Sequence, residues 1–390
     1  MLCASAVSGF LCSSPSCFFQ DDNIVRLIRQ GTRSLTQNNR PFLRLMKVWY
    51  YSMANLMITY RCNLNCSYCF ANSYVNREDT DMTLDTADRM LDWLCQGGER
   101  MVGVMGGEPT VHRHLPEILR MIHDRGMHAS LFTNGLALGQ HLPLLRELGT
   151  RILLNVNEPE VLGSARQAQL DKVLGQLLEM GMSGQVTFGV NIYRQGYDFS
   201  HILEMMKRFH HHELRVSVTV PTGAEAKVNP LDYLRSFIPD VAHLLRELHG
   251  INAYPTFDCN RIPACLLCGP EFDALPELHE MMHRTNLFHG AEPCSPVLDV
   301  LPDETAIRCF GLSDETRVRV ADFHSPRHLR QYYRQQLDTL CAYLPVSKNC
   351  RSCYEQRTGL CHGGCLVFRM EQIRKLHGLL AANGEENLHG

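Results

Sequence analysis

Three closely spaced cysteines are the residues of this sequence best suited to metal chemistry. Cys62, Cys66 and Cys69 lie in the run RCNLNCSYCFANS, with gaps of three and then two residues. Thiolates are ligands for zinc and for iron–sulfur clusters. A closed site of either kind takes four protein ligands, whereas this run supplies three, and an open metal position distinguishes a catalytic site from a structural one.

The composition excludes some classes of function. The chain has 390 residues, of which 45% are hydrophobic and 20% charged, and its net charge is −3. This length predicts two or three domains at about 150 residues each. Because there is no basic excess, neither a nucleic acid nor an anionic membrane is expected as a partner. No segment holds about 18 uninterrupted apolar residues, so no membrane span is predicted.

The cysteine count bears on the cellular compartment. The chain has 17 cysteines, but disulfide frameworks belong mainly to small secreted domains, so clustered cysteines in a chain of this size are better explained as metal ligands. A signal peptide requires Lys or Arg before its apolar part. The N-terminal stretch MLCASAVSGFLCSSPSCFF has neither there. A reducing cytoplasm is therefore the predicted location.

Short apolar runs alternate with segments of helical spacing. Strands are predicted at 55–60, 101–105, 128–133, 151–156, 185–192 and 214–220, and helices at 83–96, 115–126, 140–149, 165–181, 198–210 and 231–249. This alternation requires parallel strands joined by crossover helices. The predicted fold is α/β, an incomplete (β/α)6 parallel barrel with its chemistry at the carboxyl ends of the strands. Thr83 is a predicted N-cap, and Gly126, Gly149 and Gly181 are predicted helix stops.

Four regions are predicted along the chain. Residues 1–52 form an irregular N-terminal extension, which could precede a later start at Met46 or Met53. Residues 53–250 form the partial barrel. In residues 251–370 the periodicity fades and Cys, Pro and Gly become frequent, which predicts a small domain folded around metal. Residues 371–390 are a predicted tail.

The first cysteine run resembles the signature of the radical S-adenosylmethionine (radical SAM) enzymes. That signature is Cys-x3-Cys-x2-Cys with an aromatic residue, here Tyr68, before the last cysteine, and it follows the first strand of a partial barrel. The resemblance implies that Cys62, Cys66 and Cys69 hold a 4Fe-4S cluster whose fourth iron is chelated by SAM. One electron then cleaves SAM to methionine and a 5′-deoxyadenosyl radical, which abstracts a substrate hydrogen.

GGEP, at Gly106, Gly107, Glu108 and Pro109, follows the second predicted strand. It resembles the family motif that takes the methionyl amino group of SAM. Glycines allow a close backbone approach, and either Glu108 or neighbouring carbonyls can accept from a cationic amine. Outside this context GGEP would be an ordinary turn.

Two later segments resemble further parts of the SAM site. FTNG, with Asn134, ends the third strand, and NVNEP offers Asn155 and Asn157 for the ribose hydroxyls. Adenine is expected to meet backbone near Tyr68 and Val220-Pro221. The alternative for the asparagines is that they only form turns or caps.

The cysteine-rich end resembles the SPASM extension, whose full form binds two auxiliary 4Fe-4S clusters. The resemblance implies one cluster on Cys294, Cys309 and Cys365, with Cys268 or Cys265 as fourth ligand, and a second cluster on Cys350, Cys353 and Cys361. The sequence departs from the pattern in two ways: no cysteine follows Cys365, and the middle gap has seven residues where five is usual.

The second auxiliary cluster therefore has an open fourth position. Cys341, His362, substrate or nothing could fill it, and a single cluster or a single structural zinc remains an alternative for the whole region. A thiol at Cys259 or its neighbours could donate a hydrogen atom to a substrate radical or could be an inert buried cysteine. The histidines 210–212 are interpreted as a helix cap.

The resemblance implies a radical enzyme that modifies a ribosomally made peptide or protein by oxidation or crosslinking. Its expected partners are that substrate and a flavodoxin- or ferredoxin-type electron donor. The first alternative is a radical SAM enzyme acting on a small metabolite in cofactor or antibiotic biosynthesis. The second is a non-catalytic binding module stabilised by metal.

Overall fold

The fold is built on one open sheet. The computed structural model describes residues 53–76, 80–219, 229–258, 262–266, 297–312, 316–339, 344, 346–358, 361 and 365–369. The strands in this part of the chain are β1 Met53–Met57, β2 Met101–Met105, β3 His128–Thr133, β4 Arg151–Asn155, β5 Val186–Ile192, β6 Glu213–Val218, β7 Tyr254–Phe257, β8 Leu298–Val300, β9 Thr305–Ile307 and β10 Val318–Arg319. Their order in the sheet is β10-β9-β8-β1-β2-β3-β4-β5-β6-β7.

Helices connect the successive parallel strands. Within the described residues they are α1 Leu84–Gln96, α2 Leu115–Asp124, α3 Leu142–Glu147, α4 Pro159–Glu179, α5 Ser200–Phe209, α6 Pro230–Ser236, α7 Ile238–Gly250, α8 Pro326–Tyr333 and α9 Tyr354–Arg357. Shorter 3-10 turns include Pro109–Val111 after β2 and Leu138–His141 after β3. Among the helices of the described residues, none combines the length and the apolar character needed to cross a membrane.

The predicted incomplete parallel barrel is confirmed. All neighbouring pairs from β8 through β1 to β7 are parallel, and β7 is a free edge of the sheet, so the barrel is not closed. The six predicted strands are β1 to β6. The sheet also contains β7 to β10, which are two to four residues long and lie where the sequence shows no clear period.

The predicted domain boundary falls before β7. Because β7 pairs with β6 and β8 pairs with β1, the sheet continues past residue 250 into the cysteine-rich region. The division into a barrel and a metal-binding domain thus stays a prediction and does not coincide with a break in the sheet. Residues 1–52 and 371–390 lie outside the described residues.

The two faces of the parallel sheet differ in exposure. Alternate residues of a strand point to opposite faces. In β1 the outward-facing Ala54 and Leu56 are buried beneath the helices, whereas Met53 and Asn55 are only partly buried. The same alternation holds in β4, β6 and β7, where Asn155 and Arg215 belong to the partly exposed face. The inner face of the sheet is therefore partly exposed along β4, β6 and β7, whereas it is buried at β2.

Most helix boundaries follow the sequence signals. The Thr83 side chain accepts a hydrogen bond from the Thr86 N–H at 3.1 Å, which confirms the predicted N-cap. The three predicted stop glycines adopt left-handed backbone angles, with φ between 61° and 67°.

The single helix predicted over 231–249 is wrong. The structure has two helices there, α6 and α7, which meet at Phe237. Pro239 explains the break, because proline has no N–H to continue the hydrogen bonding of the preceding helix. Likewise α4 begins at Pro159, earlier than predicted, and its first turn is separated from the rest by a kink at Gly163 with φ of 73°.

Candidate functional site

The loop that follows β1 carries the first three cysteines. Cys62, Cys66 and Cys69 lie beyond the carboxyl end of this strand, as predicted, and each is a partly buried free thiol. Asn76 holds the loop, because its Oδ1 accepts from the Cys62 N–H at 2.7 Å and its Nδ2 donates to the Leu64 carbonyl at 3.1 Å. Asn76 has a left-handed φ of 56°, which asparagine tolerates better than most residues. No motif pointed to it.

The three thiols of this loop are close neighbours. Burial raises the pKa of Cys62 to about 12, and the Cys66 and Cys69 thiols add to this rise, so the three groups are close enough to interact. Yet across the described ranges no group of three Cys, His, Asp or Glu side chains is close enough to hold one metal ion.

The GGEP turn packs directly against the chain that leads into the cysteine loop. The Gly107 N–H donates to the Thr59 carbonyl and the Glu108 N–H to the Arg61 carbonyl, both at 2.9 Å. A Cβ at Gly107 would lie 2.4 Å from the Arg61 carbonyl oxygen, and one at Gly106 would lie 2.6 Å from that of Thr59. Only glycine allows this approach.

The buried Glu108 carboxylate accepts hydrogen bonds from neighbouring residues of the protein. Its side chain is 1% exposed, and its carboxylate accepts from the Thr110 N–H, the Thr133 hydroxyl and the Asn134 N–H at 2.7–3.1 Å. Burial raises the pKa of Glu108, and these donors oppose the rise. The carboxylate thus ties the GGEP turn to the end of β3. The predicted acceptor for an amine, either Glu108 or a neighbouring backbone carbonyl, stays a prediction.

Arg61 clamps the other side of the same junction. Its guanidinium donates through Nε to Asp81 Oδ1 at 3.0 Å, and one of its terminal nitrogens pairs with Asp81 Oδ2 at 2.5 Å. The same nitrogen reaches the Val111 carbonyl at 3.2 Å. Sequence reasoning missed this clamp, since its partners lie 20 and 50 residues away.

The predicted asparagines link the ends of β3 and β4 to the cysteine loop. Asn134 donates through Nδ2 to Asn63 Oδ1 at 2.7 Å, while its own Oδ1 caps a turn. Asn157 Oδ1 accepts from the Tyr68 hydroxyl and, at 3.7 Å, from the Cys66 thiol. These contacts bring the predicted residues together around one loop.

Asn155 differs from the other two asparagines. Its Oδ1 is buried and has no hydrogen-bond partner among the described residues. The same atom lies 2.9 Å from the position that a Cβ of Gly189 would take. Val220 and Pro221, predicted to meet adenine, lie outside the described residues.

A polar and aromatic group at the end of β5 was not predicted. The Tyr193 ring stacks on Tyr68 with centroids 4.0 Å apart, and its hydroxyl donates to Glu158. Arg194 also pairs with Glu158, at 2.5 Å, and this carboxylate is only 2% exposed. The available signal was the position of Tyr193 and Arg194 just after a strand and of Glu158 next to Asn157.

A cleft of about 340 Å³ opens beside the cysteine loop. It is lined by Cys62, Asn63, Leu64, Asn65, Cys66, Asn76, Val161 and Arg166. Arg166, on α4, is the basic side chain of this lining, and its charge favours the thiolate of Cys66, although burial still raises that pKa. The cleft therefore places a cation next to two thiol groups.

The described cysteines of the C-terminal region fall into two groups. Cys309 packs with Leu366 in one small apolar cluster, which brings it near the segment that follows Cys365. Cys350 has its pKa raised mainly by burial and also by Cys353 and Cys361. The two predicted ligand sets remain a prediction.

Only some of the C-terminal residues that the sequence predicts as ligands lie within the described residues. Cys265 is exposed in the 3-10 turn Ala264–Leu266. Outside the described residues lie Cys268 and Cys294, together with Cys259, Cys341 and His362. An edge-to-face contact of Phe70 with Phe310, with ring centroids 5.0 Å apart, joins the residue after Cys69 to the residue after Cys309.

The histidine run ends a helix, as interpreted from the sequence. His210 is the C-cap of α5 and has a left-handed φ of 54°. A ring nitrogen of His211 lies 3.1 Å from the Ser183 carbonyl, and one of His212 lies 2.9 Å from the Asn252 carbonyl.

Asp299 is a buried acid on the inner face of β8. It accepts from Asn55 Nδ2 at 2.8 Å and is 5% exposed. Burial, reinforced by Asp258, raises the pKa of Asp299 to about 7, while Asn55 and Arg308 oppose the shift. The folded state therefore favours the protonated acid. Its stabilising contribution is complete below about pH 4 and is lost as the pH rises to about 7.

Asp299→Asn should stabilise the protein at alkaline pH. We expect the free energy of unfolding at pH 8 to rise by about 2–4 kcal/mol, because the variant removes a buried charge. At pH 4.5 the gain should be much smaller. Urea unfolding at both pH values measures it, with Asp303→Asn, in an exposed turn, as the control. A loss of stability at pH 8 would contradict this reading of Asp299.

The family follows from the same residues. Residues 56–225, which contain the cysteine loop, the GGEP turn and β2 to β6, match the sequence model of the radical SAM superfamily. This part of the chain is therefore a radical SAM domain. The superfamily implies a 4Fe-4S cluster and SAM, and three partly buried free thiols on one loop provide the three-cysteine ligand set for such a cluster.

Curated relatives share only part of the chain. The 7,8-dihydro-6-hydroxymethylpterin dimethyltransferase of Methanocaldococcus jannaschii is 36% identical over 102 residues, which are 25% of this chain and 20% of the relative. The PqqA peptide cyclase of Bradyrhizobium diazoefficiens is 34% identical over 83 residues, which are 21% of this chain and 22% of the relative. The chain thus spans about a fifth of the length of these relatives.

Solved structures share the fold over more of the chain. Streptococcus suis SuiB bound to S-adenosylmethionine has a TM-score of 0.56 and 16% identity, covering 89% of this chain and 85% of that chain. SuiB bound to precursor peptide SuiA has a TM-score of 0.54 and 16% identity, covering 90% and 85%. Native anSMEcpe with bound S-adenosylmethionine and Kp18Cys peptide has a TM-score of 0.57 and 16% identity, covering 80% and 88%.

Proposed function

We propose that this chain is a radical SAM enzyme that modifies a side chain of a ribosomally made peptide or protein. The assignment to the radical SAM enzymes rests on the cysteine loop at the carboxyl end of β1, which packs against the GGEP turn. When bound, the cluster would supply one electron for the reductive cleavage of SAM to methionine and a 5′-deoxyadenosyl radical, which would abstract a substrate hydrogen.

The protein's own part is to hold SAM in one orientation. Carbonyl oxygens of Gly106 and its neighbours accept from the methionyl ammonium group. Arg166 is the basic side chain that lines the cleft with Cys62 and Cys66, and it pairs with the carboxylate of SAM. Asn155, whose Oδ1 lacks a donor among the described residues, accepts from a ribose hydroxyl. Asn157 and Tyr68 keep the loop in place for these contacts.

The choice of a peptide substrate rests on similarity. SuiB and anSMEcpe, which share the fold over most of the chain, are each known with a bound peptide. The relative from Bradyrhizobium diazoefficiens is a peptide cyclase. The second candidate is a small metabolite, since another relative of comparable identity is a dimethyltransferase of a pterin.

The C-terminal cysteines extend the proposal. We infer one auxiliary 4Fe-4S cluster near Cys309 and Cys365 and a second on Cys350, Cys353 and Cys361, which accept the electron left after hydrogen abstraction or bind substrate. A flavodoxin- or ferredoxin-type protein supplies the electron for SAM cleavage.

Cleavage of SAM tests the enzyme class. Protein purified without oxygen, reconstituted with iron and sulfide, and then reduced should form 5′-deoxyadenosine, measured by chromatography. Protein that keeps zinc and forms no 5′-deoxyadenosine would support a binding module instead. Mass spectrometry of a precursor peptide encoded beside the gene and co-expressed with the enzyme then separates the two substrate classes.

A further inference from the structure

The inner face of the sheet holds a set of charged side chains that SAM binding does not use. Arg215 on β6 pairs with Asp258 at the end of β7, and its guanidinium also lies 5.6 Å from the centroid of the Phe132 ring. Both members of this pair are about one quarter exposed. The β6–β7 end of the inner face is therefore partly exposed to solvent.

Two of the acids on or near this face have a basic partner. Asp258 is neutralised by Arg215. Asp338 receives two hydrogen bonds of 3.1 Å from the Arg308 guanidinium, which is itself buried. Each guanidinium is thus already paired with a carboxylate, and a negatively charged ligand would have to displace that carboxylate.

Asp299 is the exception. Among the residues that the structure describes, no basic side chain lies within ion-pair distance of Asp299. Asn55 is its hydrogen-bond donor, and the Arg308 charge, which is paired with Asp338, acts on Asp299 only from further away. Asn55 and Asp299 are opposite each other in the pairing of β1 with β8. When ionised, Asp299 has one donor and no contacting counter-ion, so it has acceptor capacity left, and burial makes a matching cation more favourable there than at the surface.

The position of Asp299 also suits a substrate contact. Two residues further along the chain, Leu301 packs in an apolar cluster with Met57 and Tyr60, and Cys69 packs against that cluster. Asp299 therefore lies on the inner face, next to the strand that leads into the cysteine loop. A group held by Asp299 would be inside the sheet and below the proposed radical site.

We propose that Asp299, oriented by Asn55, binds a basic group of the substrate, an ammonium or a guanidinium. This rests on the proposed function, since it takes the inside of the sheet as the substrate site. The substrate is thereby a molecule with a lysine-like or arginine-like side chain close to the atom that loses hydrogen. An acidic substrate is disfavoured, because both arginines would have to give up their carboxylates.

Binding of small probes tests this without the chemistry. The reconstituted full chain is titrated by calorimetry with the methylamides of acetyl-lysine, acetyl-arginine, acetyl-norleucine and acetyl-glutamate. We expect at least one basic probe to bind about tenfold more tightly than the norleucine probe, as for one partly buried ion pair. Asp299→Asn should remove this preference, while Asp303→Asn, which removes an equal charge from an exposed turn, should keep it. The lysine and arginine probes separate an ammonium site from a guanidinium site.

Four results would overturn the inference: equal binding of basic and norleucine probes, undetectable binding of both basic probes, tighter binding of the glutamate probe, or a preference that survives in Asp299→Asn. The wild-type series does not depend on the folding of a variant. Failure of this inference can be told apart from failure of the proposed function. A chain that forms no 5′-deoxyadenosine but still binds basic probes more tightly refutes only the proposed function. A chain that cleaves SAM without the preference refutes only the role of Asp299.

Discussion

A variant with alanine at Cys62, Cys66 and Cys69 is expected to form no 5′-deoxyadenosine above the level of a reaction without protein. The three thiols lie on one loop at the carboxyl end of β1, and they are the proposed ligands of the cluster. Loss of the cluster removes the electron that cleaves SAM. Chromatography of the reduced, reconstituted protein measures the loss, and the iron and sulfide content should fall by one cluster.

Two single variants give this experiment its controls. Cys95→Ala changes a partly buried thiol on α1 whose Sγ faces the Arg125 carbonyl, and it should leave SAM cleavage unchanged. Cys361→Ala should permit some SAM cleavage but impair turnover of substrate, since Cys361 belongs to a proposed auxiliary site. If the triple variant still makes 5′-deoxyadenosine, the cluster is held elsewhere and the assignment of the loop is wrong.

The parallel core could be predicted because its signals are local. Each of the six predicted strands is five to seven residues long in the structure and apolar on the outward face, and each is separated from the next by a helix. Stop signals such as Gly126 act within one turn. The short strands β7 to β10 carry no such period, and they belong to the sheet through pairing with strands distant in sequence.

The residues of the candidate site also divide into those with a local sequence signal and those without one. Cys62, Gly107 and Asn157 stand in motifs whose spacing is visible in the sequence. Asn76 and Asp81 act on the cysteine loop from 14 and 20 residues away, through hydrogen bonds that only the folded chain brings about. The acid at Asp299 is 244 residues from its partner Asn55. Long-range pairs of this kind leave no pattern in one sequence.

Gly107→Ala should be the most damaging single change outside the cysteines. The new Cβ would lie 2.4 Å from the Arg61 carbonyl oxygen, which is backbone and has little room to move, so the GGEP turn must retreat from the chain before Cys62. The Gly107 and Glu108 N–H bonds to that chain would lengthen or break. A misplacement of about 1 Å at a reacting group can cost roughly 100-fold in rate, and we expect kcat/KM for SAM cleavage to fall by about that factor.

A matched glycine separates this effect from the general cost of adding a methyl group. Gly184, in the 3-10 turn Ser183–Gln185, has open space where its Cβ would lie, so Gly184→Ala should cleave SAM at the wild-type rate. The cluster content of Gly107→Ala should stay normal, because the cysteines are unchanged, while calorimetry should show weaker binding of SAM. Normal cluster content with weak SAM binding would place the defect at the amine-binding turn. Cleavage within twofold of wild type would mean that the turn can shift without displacing SAM, and the close approach would then have no part in binding the cofactor.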